Sequence, residues 1–329
     1  MRRVPVPLGG WLLAGSLLLG SIADAQETGR VYRVGLLSIS SAAATAPART
    51  ALLAPLAELG YREGRNLVLE ERYADGDTTR LDRLAADLVR LRVEVIVAVT
   101  TPAALAAKRV TSTIPIVIAT SGDAVGSGLV KSLAHPGGNV TGGQFLGTEM
   151  AVKQMELLKE IAPGVKRTGF LPPPAVQPEP IFFREMERVA PTLGVSVQFV
   201  SARTAADHGA AFATMSQNHL DGLVVAASTF NHDSWQRIVQ LAAGQKIPAI
   251  YLWREYADAG GLMAYGPSRA ALYRHAAVYV DRILKGARPA DLPMEQPRKF
   301  DLVVNLPAAR ALGLSVPESL LLRADDVIR

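Results

Sequence analysis

The feature that most constrains this chain is a regular alternation of short β-branched runs with amphipathic stretches. The runs are YRVGLL (32–37), NLVLEERYA (66–74), VEVIVAV (93–99), IPIVIA (114–119), KRTGFL (166–171), VSVQFV (195–200), LDGLVVAA (220–227) and IPAIYLW (247–253). Between them lie segments such as LDRLAADLVRLR and MAVKQMELLKEI, whose apolar residues recur three and four positions apart, the spacing of one helix face. Strands that alternate with helices predict parallel sheets covered on both faces. Several runs are apolar almost without interruption, as burial on both faces requires. Roughly 300 residues exceed a single core, so two α/β halves are expected, the second starting near Pro172 to Pro174 or at the helix just before them.

The N-terminus predicts where the chain works. Arg2 and Arg3 precede an apolar stretch from Leu8 to Ile22 that ends in Ala23, Asp24, Ala25, the pattern of a secretory signal cleaved before Gln26. The apolar core is too short to span a bilayer comfortably, and the residues after the two arginines favour the general secretory route over a twin-arginine signal. The sequence has no cysteine, which excludes disulfides, thiolate metal sites, a thiol nucleophile and a lipidated cysteine. A chain free in the periplasm of a two-membraned bacterium is therefore expected. The net charge is +5, or +4 without residues 1–25, and the basic residues are scattered, which argues against a nucleic-acid surface. No second long apolar segment follows.

In open parallel sheets, ligands collect beyond the carboxyl ends of the strands, so the residues after each run carry the functional reading. After the first come Ser38, Ser40 and Ser41; after the third, Thr100 and Thr101; after the fourth, Thr120, Ser121 and Asp123; after LDGLVVAA, Ser228, Thr229, Phe230 and Asn231. Hydroxyls and free NH groups at helix N-termini suit a carboxylate or another anion. The competing reading is that each such residue only caps its own helix.

Nucleotide and catalytic motifs are absent. Gly122, Gly126 and Gly128 have the wrong spacing for a dinucleotide loop, and Lys131-Ser132 lacks the glycine of a P-loop. There is no G-x-S-x-G elbow after a strand and no H-E-x-x-H, and His135, His208, His219, His232 and His275 fall on unrelated segments. Asp123 has no identifiable partner for acid–base work. The expectation is a binding protein, neither an enzyme nor a cofactor carrier.

The stretch TTPAALAAKRVTSTIPIVIATSGDAVGSGLVKSLAHPGGNVTGG closely resembles ABC transporter substrate-binding proteins related to the tryptophan and tyrosine binders. The likeness continues through EYADAGGLMAYGPS, YVDRILKGARPADLPMEQPRKFDLVVNLPAARALGL and PESLLLRADDVI. It departs at Ala124, where the family has proline, at His135 for arginine, and at Pro172 to Pro174. The resemblance implies an α/β type 1 periplasmic binding protein, two Rossmann-like lobes with parallel sheets joined by a three-segment hinge. It places one lobe at 26–145 plus 260–288 and the other at 146–259 plus 289–329. The crossings are expected near Gly143 to Thr148, Ala257 to Gly261, and Gly286 to Leu292, where glycine or proline could absorb rotation.

The same resemblance implies a monomer that passes a small carboxylate-bearing solute, an amino acid and possibly an aromatic one, to an ABC permease. On that reading Ser40, Thr100 and Thr101 take the carboxylate and Asp123 the ammonium. Trp253, Tyr265 or Phe230 lines the side-chain pocket, though Trp253 and Tyr265 lie at strand ends, where large aromatics serve packing first. A ligand-sensing periplasmic module for a membrane receptor or sensor kinase would share the fold.

Overall fold

The computed structural model describes residues 29–145, 147–172, 181–202, 204–226, 231 and 233–329. The expected signal segment lies outside them, as do Pro173 and Pro174. Among the described residues no helix is long and apolar enough to cross a membrane.

The first lobe runs β1 (Tyr32–Ser38), α1 (Ala42–Glu58), β2 (Leu67–Tyr73), α2 (Leu81–Arg90), β3 (Val95–Thr100), α3 (Thr101–Val110), β4 (Ile116–Thr120) and β5 (Val140–Gly142). Its sheet is parallel throughout, in the order β2-β1-β3-β4-β5. The second lobe runs α4 (Gly147–Ile161), β6 (Arg167–Leu171), α5 (Ile181–Val189), β7 (Ser196–Phe199), α6 (His208–Gln217), β8 (Gly222–Val225), α7 (Trp235–Gly244), β9 (Ala249–Tyr251), α8 (Arg254–Asp258) and β10 (Met263–Gly266). The chain then returns to the first lobe as α9 (Arg269–Leu284) and ends in the second with β11 (Asp301–Asn305), α10 (Leu306–Ala311), α11 (Glu318–Arg323) and β12 (Asp326–Ile328). The second sheet is ordered β12-β11-β10-β9-β8-β6-β7, and β10 with β11 is its antiparallel pair.

Strand alternation decides which core each residue joins. Val34, Leu36, Val95, Val97 and Val117 face one side of the first sheet, where they meet Ala48, Leu52 and Leu56 of α1 and Tyr273, Ala276 and Val280 of α9. Leu37, Ile96, Ala98, Ile116 and Ile118 face the other, against Leu84 and Leu88 of α2 and the alanines of α3. The second lobe repeats the scheme. Phe170, Val224, Ile250, Met263 and Val304 pack on Met155 and Leu158 of α4, and Leu171, Leu223, Val225 and Tyr251 on Phe212 and Met215 of α6.

The chain passes between lobes at 143–147, at 267–268 and at 296–300. The last two differ from the sequence reading. Residues 263–266 belong to the second sheet, since β10 pairs with β9 and β11, so the 260–288 segment is divided at Pro267. Gly261 is no hinge: a Cβ there would lie 2.6 Å from Tyr251 Cε2 and 2.7 Å from the Tyr256 carbonyl, so the turn is pressed against its neighbours. Gly286, at φ +100°, ends α9. Its NH bonds to the Ile283 carbonyl and that of Ala287 to Arg282, a left-handed helix stop. Residues 289–295 stay with the first lobe, where Thr141 Oγ1 donates to the Leu292 carbonyl and Met294 NH to Leu133.

Gly261→Ala is expected to destabilise the protein by about 1–3 kcal/mol in urea unfolding through overpacking. Unchanged stability would show that this turn has slack.

Candidate ligand-binding cleft

Both sheets share one arrangement at their centre. In the first, β1 sends the chain outward to β2 and back across to β3; in the second, β6 does the same with β7 and β8. These are the points where strand order reverses, and helix N-termini diverge there to leave a crevice beyond the strand ends. The crevice of the first lobe is bordered by the loops after β1 and β3, while residues 173–180 after β6 and 227–230 after β8 lie outside the described residues.

Three groups of contacts bring the lobes together there. Ser40, 3% exposed, donates its hydroxyl to Asp233 Oδ1 across the gap at 2.9 Å. Arg269, at the start of α9, reaches into the second lobe, where it pairs with Glu255 at 3.2 Å and lies 5.6 Å from the centre of the Trp253 ring. Phe145, on the first crossing, meets Trp253 edge to face with ring centres 6.1 Å apart. Apolar floor, cationic wall and carboxylate rim thus come from both lobes.

Asp233 keeps part of its surface open. The protein around its carboxyl raises its pKa above the ordinary carboxylate value, because burial disfavours the charge more than the Ser40 hydrogen bond and the Arg269 guanidinium favour it. A carboxylate in this position gains most from a cation brought by a ligand. The sequence reading missed Asp233, which sits just before α7 in NHDSW and reads as a helix cap. It also missed Arg269, one polar residue at the start of a helix.

The serines after β1 divide their work. Ser38 is fully buried and shares a hydrogen bond with Thr45, and its Oγ accepts from Ser40 NH, shaping the loop. Ser41 caps α1 by accepting from Ala44 NH. Ser40 alone of the three reaches the other lobe. After β3, Thr101 and Ser121 share a hydrogen bond at 3.1 Å that ties two loops. Thr100 ends β3 at the N-terminus of α3, and its Oγ1 is buried with no hydrogen-bond partner.

Asp123 precedes turns at 124–128, so the helix through Leu129 that the sequence expects it to cap does not form. Asp123 is exposed, and its Oδ1 accepts from Gly126 NH at 2.7 Å, folding the carboxylate back over its own turn. Asn231 is fully buried and donates to the carbonyls of Leu171 and Ala226, joining the ends of β6 and β8. Ser228, Thr229 and Phe230 lie outside the described residues. Trp253, 7% exposed, packs into the floor, and Tyr265 is half-buried against Phe300 with its carbonyl held by Gln154. Of the histidines, His208 is buried at the start of α6, His275 meets Glu295, and His232 lies outside the described residues. No group of three metal-ligating side chains forms among the described residues.

Two parallel α/β lobes joined by three crossings, with polar strand ends facing across the gap, define a type 1 periplasmic binding protein. The chain belongs to the ABC transporter substrate binding protein family, whose model matches residues 33–328. It is 26% identical over 268 residues to a tyrosine-binding protein of Clostridioides difficile, covering 81% of this chain and 76% of that one. A solved ABC domain from Streptococcus pneumonia in complex with L-Trp superimposes with a TM-score of 0.83 at 26% identity, covering 91% of this chain and 100% of that one. The ligand-free, open structure of a Clostridium difficile substrate-binding protein with adhesive properties gives 0.66 at 25% identity, covering 91% and 99%. The chain is thus related to the tryptophan and tyrosine binders, a family of solute-binding transport components.

Asp123→Ala is expected to cost about 0.5–1.5 kcal/mol of stability, the range for one hydrogen bond, and to leave ligand affinity unchanged. Calorimetric titration of the variant with a solute that stabilises the parent protein checks it, and a tenfold loss of affinity would return Asp123 to the binding site. Asp233→Asn keeps an acceptor for Ser40 and removes the charge that burial disfavours. Because the carboxyl's pKa is raised by folding, its ionised form opposes folding at neutral pH, and this opposition fades as pH falls through that raised value. The unliganded variant should therefore melt no lower than the parent at neutral pH, as read by thermal denaturation.

Proposed function

We propose that this chain is the periplasmic solute-binding component of an ABC importer, taking an amino acid or related small carboxylate between its lobes. The observation that carries the reading is the opposition of two sites across the cleft. On one side the N-terminus of α3 offers unpaired NH groups beside the unpartnered Thr100 hydroxyl, which suits a carboxylate. On the other, Asp233 suits an ammonium. A zwitterion satisfies both, and Ser40 exchanges its Asp233 contact for one to the solute or shares it.

The lobe arrangement supports capture by closure. At nearly equal identity and coverage, the fit to the L-Trp complex exceeds the fit to the ligand-free open relative, 0.83 against 0.66. Ligand stabilises the closed form because contacts with both lobes are complete only there. The Phe145–Trp253 floor suits an aromatic or large apolar side chain laid against it. Export through the N-terminal signal places the protein where it can present the closed lobes to a permease in the inner membrane.

L-Trp, L-Tyr and other amino acids, with their deaminated analogues, make the test panel. One amine-bearing member should raise the melting temperature, as a ligand of the folded state must, and a flat response across the panel would contradict the reading. Asp233→Ala should weaken that member by more than tenfold, about 1.4 kcal/mol, and leave its deaminated analogue little changed. Affinity for the amine-bearing ligand should fall as pH is lowered through the raised titration range of Asp233, and Asp233→Asn should remove that dependence.

A further inference from the structure

The second crossing has almost no backbone left to turn. It consists of Pro267 and Ser268, between the last residue of β10 and the first of α9. On the second-lobe side, Gly266 ends β10 paired with Asp301, and a Cβ there would lie 2.2 Å from the Leu252 carbonyl oxygen, so the strand end is pressed against its neighbour. Pro267 is buried, and its ring fixes φ. Ser268 is committed to α9: its hydroxyl accepts from Ala271 NH at 3.3 Å and its carbonyl from Leu272 NH at 3.1 Å. The third crossing, by contrast, runs over 296–300 with Gln296, Arg298 and Lys299 exposed.

The helix that follows is shared between the lobes at its first turn. Tyr273, Ala276 and Val280 pack into the first-lobe core. Leu272, one residue before Tyr273 and 5% exposed, joins Leu252, Trp253 and Tyr256 in a core of the second lobe. Arg269 ties the same two sides together. Its guanidinium pairs with Glu255 and lies over Trp253, and it also donates to the Tyr273 phenol oxygen. The Arg269 side chain is only 16% exposed. Rotation of one rigid lobe against another is absorbed at the hinge, and it displaces atoms in proportion to their distance from its axis. Buried contacts packed on both sides of a two-residue link therefore mark where the axis passes. The Ser40–Asp233 contact is of the other kind, a single hydrogen bond to a partly open carboxylate that parts when the lobes do.

We propose that the second crossing is the fixed pivot of lobe motion, pinned by Arg269 and Leu272 as positioning residues, with the rotation taken up in the other two crossings. The pin gives closure a set axis, so Ser40 and Asp233 come together in one register each time the cleft shuts. The pivot rests on the reading that the lobes open and close, and its test needs no solute.

Spin labels can be carried on introduced cysteines, because the chain has none of its own. Val125→Cys with Gln236→Cys spans the two lobes at the cleft, and Ala259→Cys with Arg274→Cys spans the second crossing; all these positions are exposed. Electron spin resonance on the full unliganded protein compares the widths of the two distance distributions. The cleft distribution should be at least about twice as wide as the crossing distribution, as rotation about a point near the crossing requires. Arg269→Ala combined with Leu272→Ala should widen the crossing distribution toward that of the cleft, and Arg269→Ala alone serves if the combined variant fails to fold. Equal widths at the two pairs in the parent, or a crossing distribution unchanged in the folded variant, overturns the pivot. A flat melting response to the amino-acid panel would bear on the solute alone, so the two failures are distinct.

Discussion

Everything in this structure depends on covering both faces of two parallel sheets. A parallel sheet exposes apolar residues on each side, and the first lobe's own helices leave much of one face bare. The cover comes from α9, which places Tyr273, Ala276, Ala277, Tyr279, Val280 and Ile283 in the core formed by β1, β3 and β4. That helix follows β10 of the second lobe, so the chain must leave the first lobe, build most of the second and return. The hinge of three crossings is therefore a by-product of burial: neither lobe is complete from a contiguous stretch of chain.

The same constraint positions the cleft. Parallel strands put all their carboxyl ends on one side, and covering helices start there, so each lobe turns loops and helix N-termini toward the gap. Most of the hydroxyls so placed serve their own loops. Ser38, Ser41, Thr101 and Ser121 close local hydrogen bonds and hold the rim in shape. Among the described residues, the groups proposed to meet a solute are Ser40 and Thr100 on one side and Asp233 on the other.

The layered fold was legible because its signal is repeated: eight apolar runs each became a strand, and the stretch from LDRLAADLVRLR to α2 shows the helical period plainly. β5, β10, β11 and β12 are not among those runs. β5 and β12 are three residues each, β10 is four, and β11 pairs antiparallel with β10, outside the alternating parallel pattern. The second crossing was misplaced because Gly260 and Gly261 read as flexible, while the tyrosine packed against Gly261 is distant enough in pattern to leave no local trace. The site was legible in region and poorly legible in residue. Strand-end position identifies Ser40 and Ser41 equally, and only the fold shows that one crosses the gap while the other caps its helix. Asp123 and Asp233 likewise both precede turns or helices, and what separates them is the partner: Asp123 accepts from its own turn, Asp233 from Ser40 of the opposite lobe.

The central claim is that one solute is held by both lobes at once. Hydrogen–deuterium exchange with and without an amino acid that raises the melting temperature tests it most directly. Exchange should slow together in the loops after β1 and β3 and in residues 233–236 at the start of α7. Slowing confined to a single lobe, or none in either set of loops, would contradict it.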